Sequence, residues 1–156
     1  NVRYDGKNIS HSETLYLQRG LVGEITRRFE RKGLRLAGMK MVQLTDEVLS
    51  EHYSHLSSKP FFQRVKDSMM TAPVIVCCFE VWMLFKPFVH WRGPTNGRLA
   101  APGTIRGDYS MSFQEKFVHT SDSPETAAVE LNRFFKPEEI FDYKQATFDY
   151  LYANDE

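Results

Sequence analysis

The chain has 156 residues, of which 42% are hydrophobic and 13% aromatic, and this composition suits one globular domain with its own core. Twenty basic residues balance twenty acidic ones, which argues against an overall field that attracts nucleic acid or a membrane surface. No stretch approaches the roughly 18 consecutive apolar residues of a membrane span. An anionic ligand would therefore have to be held by a local cluster of cations.

The start of the chain gives little periodic signal. Residues 1–12 are polar, and we expect an extension or loop there, followed by a short strand from Glu13 to Leu17 and a domain over 13–156. This polar start is not typical of a signal peptide. Because the sequence begins with Asn1 rather than Met, the presence of a further segment upstream stays an open alternative.

The next elements follow from periodicity. Apolar residues spaced by one, three and four positions predict a helix from Gly20 to Lys32. Rough alternation predicts a half-buried strand from Leu34 to Val42. Thr45 is a suitable N-cap for a helix that runs to about Leu56, and a second short helix is expected after Pro60.

The second half begins with a strong strand signal. The apolar, β-branched run Pro73 to Phe79 is typical of a central strand buried on both faces, whereas residues 82–91 are ambiguous. Glycines and prolines between Gly93 and Asp108 predict an extended loop. A strand that ends at His119 and a helix from Ser123 to Phe134 complete the order. This order predicts the α+β class, with helices packed on a small sheet.

The two cysteines, Cys77 and Cys78, are adjacent within the apolar run. Neighbours on a strand point to opposite faces, so the pair suits a reduced interior better than a disulfide. We expect a reducing compartment, either the cytoplasm or a reducing organelle.

The segment around His119 carries the strongest chemical signal. An apolar stretch from Lys116 delivers the histidine into a turn rich in hydroxyl and carboxylate groups. A neutral imidazole can attack a phosphoryl group if a neighbour fixes its tautomer, and Ser121 and Glu130 are the candidate orienting residues. The alternative is a histidine whose hydrogen bonds are simply satisfied at the end of a strand.

Six short motifs follow one another along the chain: Gln18 to Ile25, Glu51-His52-Tyr53, Lys59 to Phe62, Gly93 to Asn96, Pro102 to Asp108 and His119 to Ser123. Taken in order, they resemble the nucleoside diphosphate kinase family. The resemblance covers roughly positions 13 to 143 and implies a ferredoxin-like, four-stranded antiparallel sheet covered by helices. It also implies that His119 takes the γ-phosphate of a nucleoside triphosphate and passes it to a nucleoside diphosphate, usually with Mg²⁺ bridging the nucleotide phosphates rather than bound by protein ligands.

The resemblance assigns nucleotide contacts to four further residues. Phe61 would stack on the base, Tyr53 would reach a phosphate, and Thr95 and Arg106 would bind phosphate oxygens. From the sequence alone, Phe61 could equally fill the core, and Tyr53 could be an aromatic residue on a helix face. Arg106 lies in a glycine-rich segment, and the planar fork of an arginine suits phosphate.

The chain departs from the family where phosphate is bound. Glu13 stands near the position of a family lysine, Val89 replaces an arginine, and Lys116 replaces an asparagine. Arg92 and Lys116 are the candidate replacements for the missing cations. A different register of the first strand, with Lys7 as a displaced lysine, is the other solution.

Two functions therefore stay open from sequence. The first is an active nucleoside diphosphate kinase, and the second is a weakened member that serves as a nucleotide-binding or structural subunit of a larger assembly. Proteins of this kind form homo-oligomers, either hexamers or tetramers built from dimers. The aromatic tail is the expected contact surface, unless it folds over its own subunit; its members are Phe141, Tyr143, Phe148, Tyr150 and Tyr152.

Overall fold

The computed structural model describes residues 6–12, 17–81, 90–112 and 118–151, with residues 6–12 described as backbone only. Its sheet has the strand order β2-β3-β1-β4, and the paired neighbours run antiparallel. One irregularity in register lies between Leu36 and Gly38, where β2 pairs with β3. The strands are β1 (Gly6–Ser12), β2 (Arg35–Val42), β3 (Val74–Val81) and β4 (Val118–Thr120).

Four of the helices lie close to where the sequence predicts them, although the one that follows Thr45 ends at His52 rather than near Leu56. Thr45 accepts a hydrogen bond from the amide of Val48, and Ser123 accepts one from Thr126, so both act as N-caps. The helices are α1 (Val22–Arg31), α2 (Asp46–His52), α3 (Phe62–Met70), α4 (Ile105–Tyr109), α5 (Pro124–Phe134) and α6 (Phe148–Leu151). Short 3₁₀ turns occupy Ser54–Leu56, Gly97–Leu99 and Pro137–Glu139.

Strand β3 is buried along its whole length and separates two apolar clusters. Ile75, Cys77 and Phe79 belong to the cluster that contains Ile25 and Phe29 of α1. The alternate positions Val74, Val76 and Cys78 belong to the cluster that contains Leu49, Tyr53 and Phe134, from the segments around α2 and α5. The predicted α+β class, with helices packed against an antiparallel sheet, is therefore confirmed.

The two cysteines lie on opposite faces of β3, as the alternation predicts. Both are free thiols, and burial raises the pKa of Cys77 to about 12. A thiol with this pKa stays protonated at neutral pH and is a poor nucleophile. Among the helices of the described residues, none has the length and apolar character needed to cross a membrane.

The prediction of a loop over residues 1–12 is wrong for Gly6–Ser12, which forms β1 between β3 and β4. The expected strand from Glu13 to Leu17 falls mostly on residues 13–16, which lie outside the described part of the chain. Leu17, its last residue, lies in a helical turn. β1 is stabilised by backbone hydrogen bonds to two neighbouring strands. Because backbone pairing does not require alternating apolar residues, this polar segment gave no periodic signal of a strand.

The segment from Gly93 to Asp108 also differs from the extended loop that its glycines predict. It contains the 3₁₀ turn Gly97–Leu99 and most of α4, whose N-cap Thr104 accepts a hydrogen bond from the amide of Gly107. A Cβ at Gly107 would lie 2.0 Å from the carbonyl oxygen of Ala101, so only glycine permits this close turn. The glycine-rich segment therefore contains short helices as well as a loop.

Candidate active site

His119 occupies the middle of β4, and its side chain is 15% exposed. The flanking residues Val118 and Thr120 are buried, so the strand fixes the backbone on both sides of the ring. On the neighbouring strand β1, the backbone of His11 lies opposite His119. The structure thus places this histidine on a rigid element with a limited opening to solvent.

Glu130 reaches the ring from α5. Its neighbours on the buried face are Ala127 and Phe134, three and four residues away, so the helical period directs the carboxylate toward the sheet. The Nε2 atom of His119 lies 3.0 Å from Oε1 of Glu130, and the hydroxyl of Ser121 donates a short hydrogen bond to Oε2. The three residues predicted to form the catalytic group therefore lie together.

This contact decides the chemistry of the His119 ring. A carboxylate only accepts hydrogen bonds, so Nε2 must carry the proton that joins the ring to Glu130. In the neutral ring the lone pair then lies on Nδ1, the atom suited to attack an electrophile. The second oxygen of Glu130 is held by Ser121, which keeps the carboxylate from rotating away.

His52, to which the sequence analysis gave no role, lies beside this group. Its ring is 5.1 Å from that of His119 and nearly perpendicular to it, and its Nδ1 is 3.8 Å from Oε1 of Glu130. Arg133 contacts the same Nδ1 at 3.0 Å and pairs with Glu51 at 2.9 Å. The spacing of three from buried Leu49 was the available sign that His52 faces inward.

His52, His119 and Glu130 offer ligand atoms that all lie within 4.8 Å of one another. Mg²⁺ prefers oxygen ligands in octahedral geometry, and two imidazoles with one carboxylate do not provide them. The guanidinium of Arg133 also contacts Nδ1 of His52, which places a cation where a metal ion would bind. We therefore assign none of the three as a metal ligand.

Tyr53 and Phe61 differ strongly in exposure. Tyr53 is 1% exposed, and its ring lies edge-on to His52 at 4.6 Å, so it borders the histidine pair. Phe61 is 39% exposed at the start of α3, so core filling does not account for it. Thr95 is exposed in the segment between Gly93 and the 3₁₀ turn.

Arg106 is buried, with 2% of the residue exposed. It donates hydrogen bonds to the carbonyl oxygens of Gly93, at 3.1 Å, and Val118, at 2.8 Å. Val118 immediately precedes His119, so Arg106 joins the glycine-rich segment to the strand that carries the histidine. Part of the donor capacity predicted for phosphate thus serves the protein's own backbone.

Arg92 is also engaged by neighbouring groups. It donates to the carbonyl oxygen of Thr120 at 3.1 Å and pairs with Asp122 at 3.2 Å, and Asp122 itself is 71% exposed. These contacts bring a cation next to the strand of His119. Lys116, Glu13 and Val89 lie outside the described residues.

The alternative register, with Lys7 as the displaced lysine, is not favoured by the backbone. Lys7 pairs with Glu80, four residues along β1 from His11, which lies opposite His119. At about 3.3 Å per residue, this separation is roughly 13 Å along the strand. The register therefore does not bring the backbone of Lys7 to the histidine.

Asp108 anchors the glycine-rich segment near the site. Its Oδ1 accepts the amide hydrogen of Gly103 at 2.8 Å, and its Oδ2 lies 2.7 Å from Arg28 of α1. The Gly103 amide, and then the Arg28 guanidinium, hold the pKa of this carboxyl below its usual range. The ionised form of Asp108 thus stabilises the turn that precedes Arg106.

Comparison with known proteins gives a consistent result. A model of the family described as nucleoside diphosphate kinase matches residues 15–140. The chain is 67% identical over 140 residues to a nucleoside diphosphate kinase of Parabacteroides distasonis, covering 90% of this chain and 92% of that protein. It is 47% identical over 127 residues to one from Staphylothermus marinus, covering 81% and 90%. The solved structure of a halophilic nucleoside diphosphate kinase from Halobacterium salinarum, in complex with CDP, superimposes with a TM-score of 0.91 at 30% identity, covering 96% of this chain and 99% of that one. The chain belongs to the nucleoside diphosphate kinase family.

Proposed function

We propose that this chain transfers the γ-phosphate of a nucleoside triphosphate to a nucleoside diphosphate through a phosphohistidine at His119. Nucleoside diphosphate kinase is the function of the family to which the chain belongs. The observation that carries the proposal is the contact of His119 with Glu130, which Ser121 holds from its other oxygen. The ferredoxin-like four-stranded sheet is the scaffold that supports this group.

The reaction has two matched half-reactions. The lone pair on Nδ1 of His119 attacks the γ-phosphorus, an N–P bond forms, and the bond to the β–γ bridging oxygen breaks with its electrons on the departing diphosphate. The ring becomes cationic, and the Glu130 carboxylate at Nε2 stabilises that charge. A terminal oxygen of the incoming diphosphate then attacks the same phosphorus, the N–P bond breaks, and the neutral ring returns.

The nucleotide contacts in this proposal follow the family pattern. The exposed ring of Phe61 stacks on the base, which tolerates different bases because every base has a stacking face. Tyr53 borders the histidine pair and reaches a phosphate, while Thr95 and Arg106 meet phosphate oxygens. Arg92 adds a further cation beside β4.

We propose that Mg²⁺ enters with the nucleotide phosphates, which supply the oxygen ligands that it prefers. The imidazole-rich group around His119 does not fit this ion as a protein cage. When bound, the ion neutralises phosphate charge. The protein residues supply the nucleophile and its orientation.

The direct test is incubation of the protein with γ-labelled ATP, followed by acid and by alkali. Phosphohistidine predicts label that is lost in acid and retained in alkali, together with ping-pong kinetics. His119→Ala should abolish labelling, whereas the matched change at exposed His90 should leave it intact. Label that survives acid, or that persists in His119→Ala, would contradict the proposal.

A second experiment tests how the phosphate charge is met. Arg106→Ala should lower exchange strongly, and Arg92→Ala or Lys116→Ala should lower it measurably with little change in folding. If both of the last two variants match the parent in exchange and in nucleotide affinity, neither residue replaces the missing cations. Glu13→Lys is the reciprocal change, and a large gain in rate would identify a weakened kinase with an intact scaffold.

The second candidate function is a weakened member that binds nucleotide or supports a larger assembly. The observation that favours it is that Arg106 and Arg92 both donate to backbone carbonyls, while Glu13 and Val89 replace family cations. A charged hydrogen bond contributes about 1.5 to 3 kcal/mol, so two losses would weaken phosphate binding substantially. Calorimetry that shows nucleotide binding without phosphate exchange would select this function, and fast exchange would remove it.

We further propose a homo-oligomer, either a hexamer or a tetramer built from dimers. In the tail, Phe148 is buried and Tyr143 donates to the carbonyl of Leu36 in its own chain, whereas Phe141 and Tyr150 are 65% and 90% exposed. These two exposed rings are the remaining candidates for contact, since Tyr152 lies outside the described residues. Light scattering that shows a monomer across working concentrations would contradict the proposal.

The location that we propose is the cytoplasm, with a reducing organelle as the alternative. Its basis is the pair of buried free thiols at Cys77 and Cys78. Fractionation of the source cells, with a reduced-thiol assay on the isolated protein, tests this assignment.

A further inference from the structure

Behind the catalytic group lies a second chain of contacts that the phosphohistidine step does not use. Glu51 at the exposed edge of α2 accepts two contacts from Arg133 of α5, at 3.1 and 2.9 Å. The Nη1 atom of Arg133 lies 3.0 Å from Nδ1 of His52. The ring of His52 packs against the ring of His119 with centroids 5.1 Å apart.

We propose that Arg133 is a positioning residue that keeps His52 neutral and thereby reserves the Glu130 carboxylate for His119. This inference rests on the proposed role of His119 as the phosphate acceptor. Arg133 itself does not contact His119 in this scheme. It acts through His52 and through the carboxylate that both histidines can reach.

The two histidines compete for one oxygen atom. Oε1 of Glu130 lies 3.0 Å from Nε2 of His119 and 3.8 Å from Nδ1 of His52. A protonated Nδ1 on His52 would be a charged donor, and a shift of under 1 Å would bring it into hydrogen-bond range of Oε1. Glu130 would then be drawn from His119, and the proton on Nε2 of His119 would lose its partner.

The contact with Arg133 opposes that protonation in two ways. A guanidinium only donates, so Nδ1 of His52 must accept in this contact, and an accepting nitrogen carries no proton. The fixed positive charge of Arg133 at 3.0 Å also disfavours a second cation on the imidazole. His52 therefore keeps its proton on Nε2 and stays neutral.

Other groups around His52 also influence whether its ring is protonated. From α5, the Glu130 carboxylate favours protonation, and from α2 the Glu51 carboxylate does so more weakly because it is 67% exposed and already paired. From β4 the neighbour is the ring of His119. The rings of Tyr53 and Phe134 pack against the edges of His52 and carry no charge at neutral pH. Among the described residues around His52, Arg133 is thus a cation that offsets the effect of the buried Glu130 carboxylate.

The prediction concerns the pH profile of phosphate exchange. In Arg133→Met the long apolar side chain preserves packing, but His52 gains protons at higher pH than in the parent. An ordinary histidine, with a pKa near 6.5, is about three-quarters protonated at pH 6 and only about 3% protonated at pH 8. We expect kcat of the variant to fall about fourfold relative to the parent at pH 6, with a much smaller difference at pH 8.

Two further variants separate positioning from general damage to the fold. Arg133→Lys keeps the charge and should keep the parent profile, and it also serves if Arg133→Met folds poorly. The double variant Arg133→Met with His52→Asn removes the titrating ring and should lose the extra acid sensitivity. Arg27→Met, at an exposed arginine of α1, is the control for the same change in charge away from the site.

The same variants can be followed by NMR titration of the histidine side chains, which does not depend on activity. His52 should titrate at higher pH in Arg133→Met than in the parent. The inference is overturned if the loss in Arg133→Met is the same at every pH, if the double variant keeps the extra acid sensitivity, or if the His52 titration does not move. Failure of the proposed function has a different signature, because label would then persist in His119→Ala whatever the profile of Arg133→Met.

Discussion

Glu80 and Glu130 are both buried carboxylates, with 2% and 4% of each residue exposed, yet they have opposite surroundings. Glu80, on the central strand β3, faces Arg35 of β2, which is 1% exposed and which also pairs with Asp142 of the C-terminal segment. Glu130 faces groups that carry no fixed charge, the ring of His119 and the hydroxyl of Ser121. One carboxylate meets a permanent cation, and the other meets a ring that can become one.

This difference in surroundings distinguishes a carboxylate that stabilises the fold, Glu80, from one that is placed to act in the proposed reaction, Glu130. The cation beside Glu80 is permanent, so the pair is already neutralised and joins β2, β3 and the C-terminal segment. In the proposed reaction, the carboxylate of Glu130 gains its full partner only when His119 becomes cationic on accepting the phosphate. Interactions that strengthen during a reaction accelerate it, whereas those of constant strength only stabilise the fold.

The largest expected effect is on the structural pair. Arg35→Met should lower the free energy of unfolding by about 3 to 5 kcal/mol, because Glu80 would be left buried without its cation. Urea unfolding measures this change. Exchange per folded molecule should stay close to that of the parent, and a loss of exchange larger than the unfolded fraction explains would contradict the assignment of this pair as structural.

Glu130→Gln should have the reverse signature. The amide keeps the volume of the side chain but cannot balance a cationic His119 ring, so kcat should fall by about 10²-fold, at the low end of the range for acid–base and orienting groups. Stopped-flow measurement of the first half-reaction tests this. A variant with parent-like kcat would show that the carboxylate does not stabilise the transition state.

Ser121→Ala should have a smaller effect of the same kind. It removes one hydrogen bond to the ionised Glu130, and a bond of this type contributes about 1.5 to 3 kcal/mol. If about half of the lower value appears only in the transition state, exchange falls by a few fold and stability by about 1 kcal/mol. Ser123→Ala, at the half-buried N-cap of α5, is the matched control and should change stability alone.

The smallest expected effect is the pH dependence of the Asp108 anchor. The pKa of Asp108 is lowered by the Gly103 amide and by Arg28, so its contribution is present above the ordinary carboxyl range and is lost as pH falls through the folded value. Asp108→Asn should therefore destabilise the protein slightly at pH 7, by under about 1 kcal/mol for a partly exposed pair. The difference from the parent should shrink toward pH 3, and a difference that stays constant with pH would exclude an ionic origin.

Much of the candidate catalytic group could be predicted from sequence, because its residues lie close together in the chain or on one face of a helix. His119 and Ser121 are two residues apart, and Glu130 lies on a helix whose Ser123 cap and Pro124 start are legible in the chain. The helix period then directs the carboxylate toward the strand. The ordered motifs supplied the family, and through it the sheet.

The tertiary structure decided those features that the spacing of apolar residues does not predict. Strand β1 at Gly6–Ser12 is polar, and its pairing with β3 and β4 is what makes it a strand. Arg133 and His52, which are in contact, stand 81 positions apart in the chain. Two donors of Arg106 bind the carbonyls of Gly93 and Val118. The physical reason is the same in each case. Helix and strand periods record which face of one element is apolar, whereas a hydrogen bond between distant elements depends on how those elements pack and leaves no regular spacing in the chain.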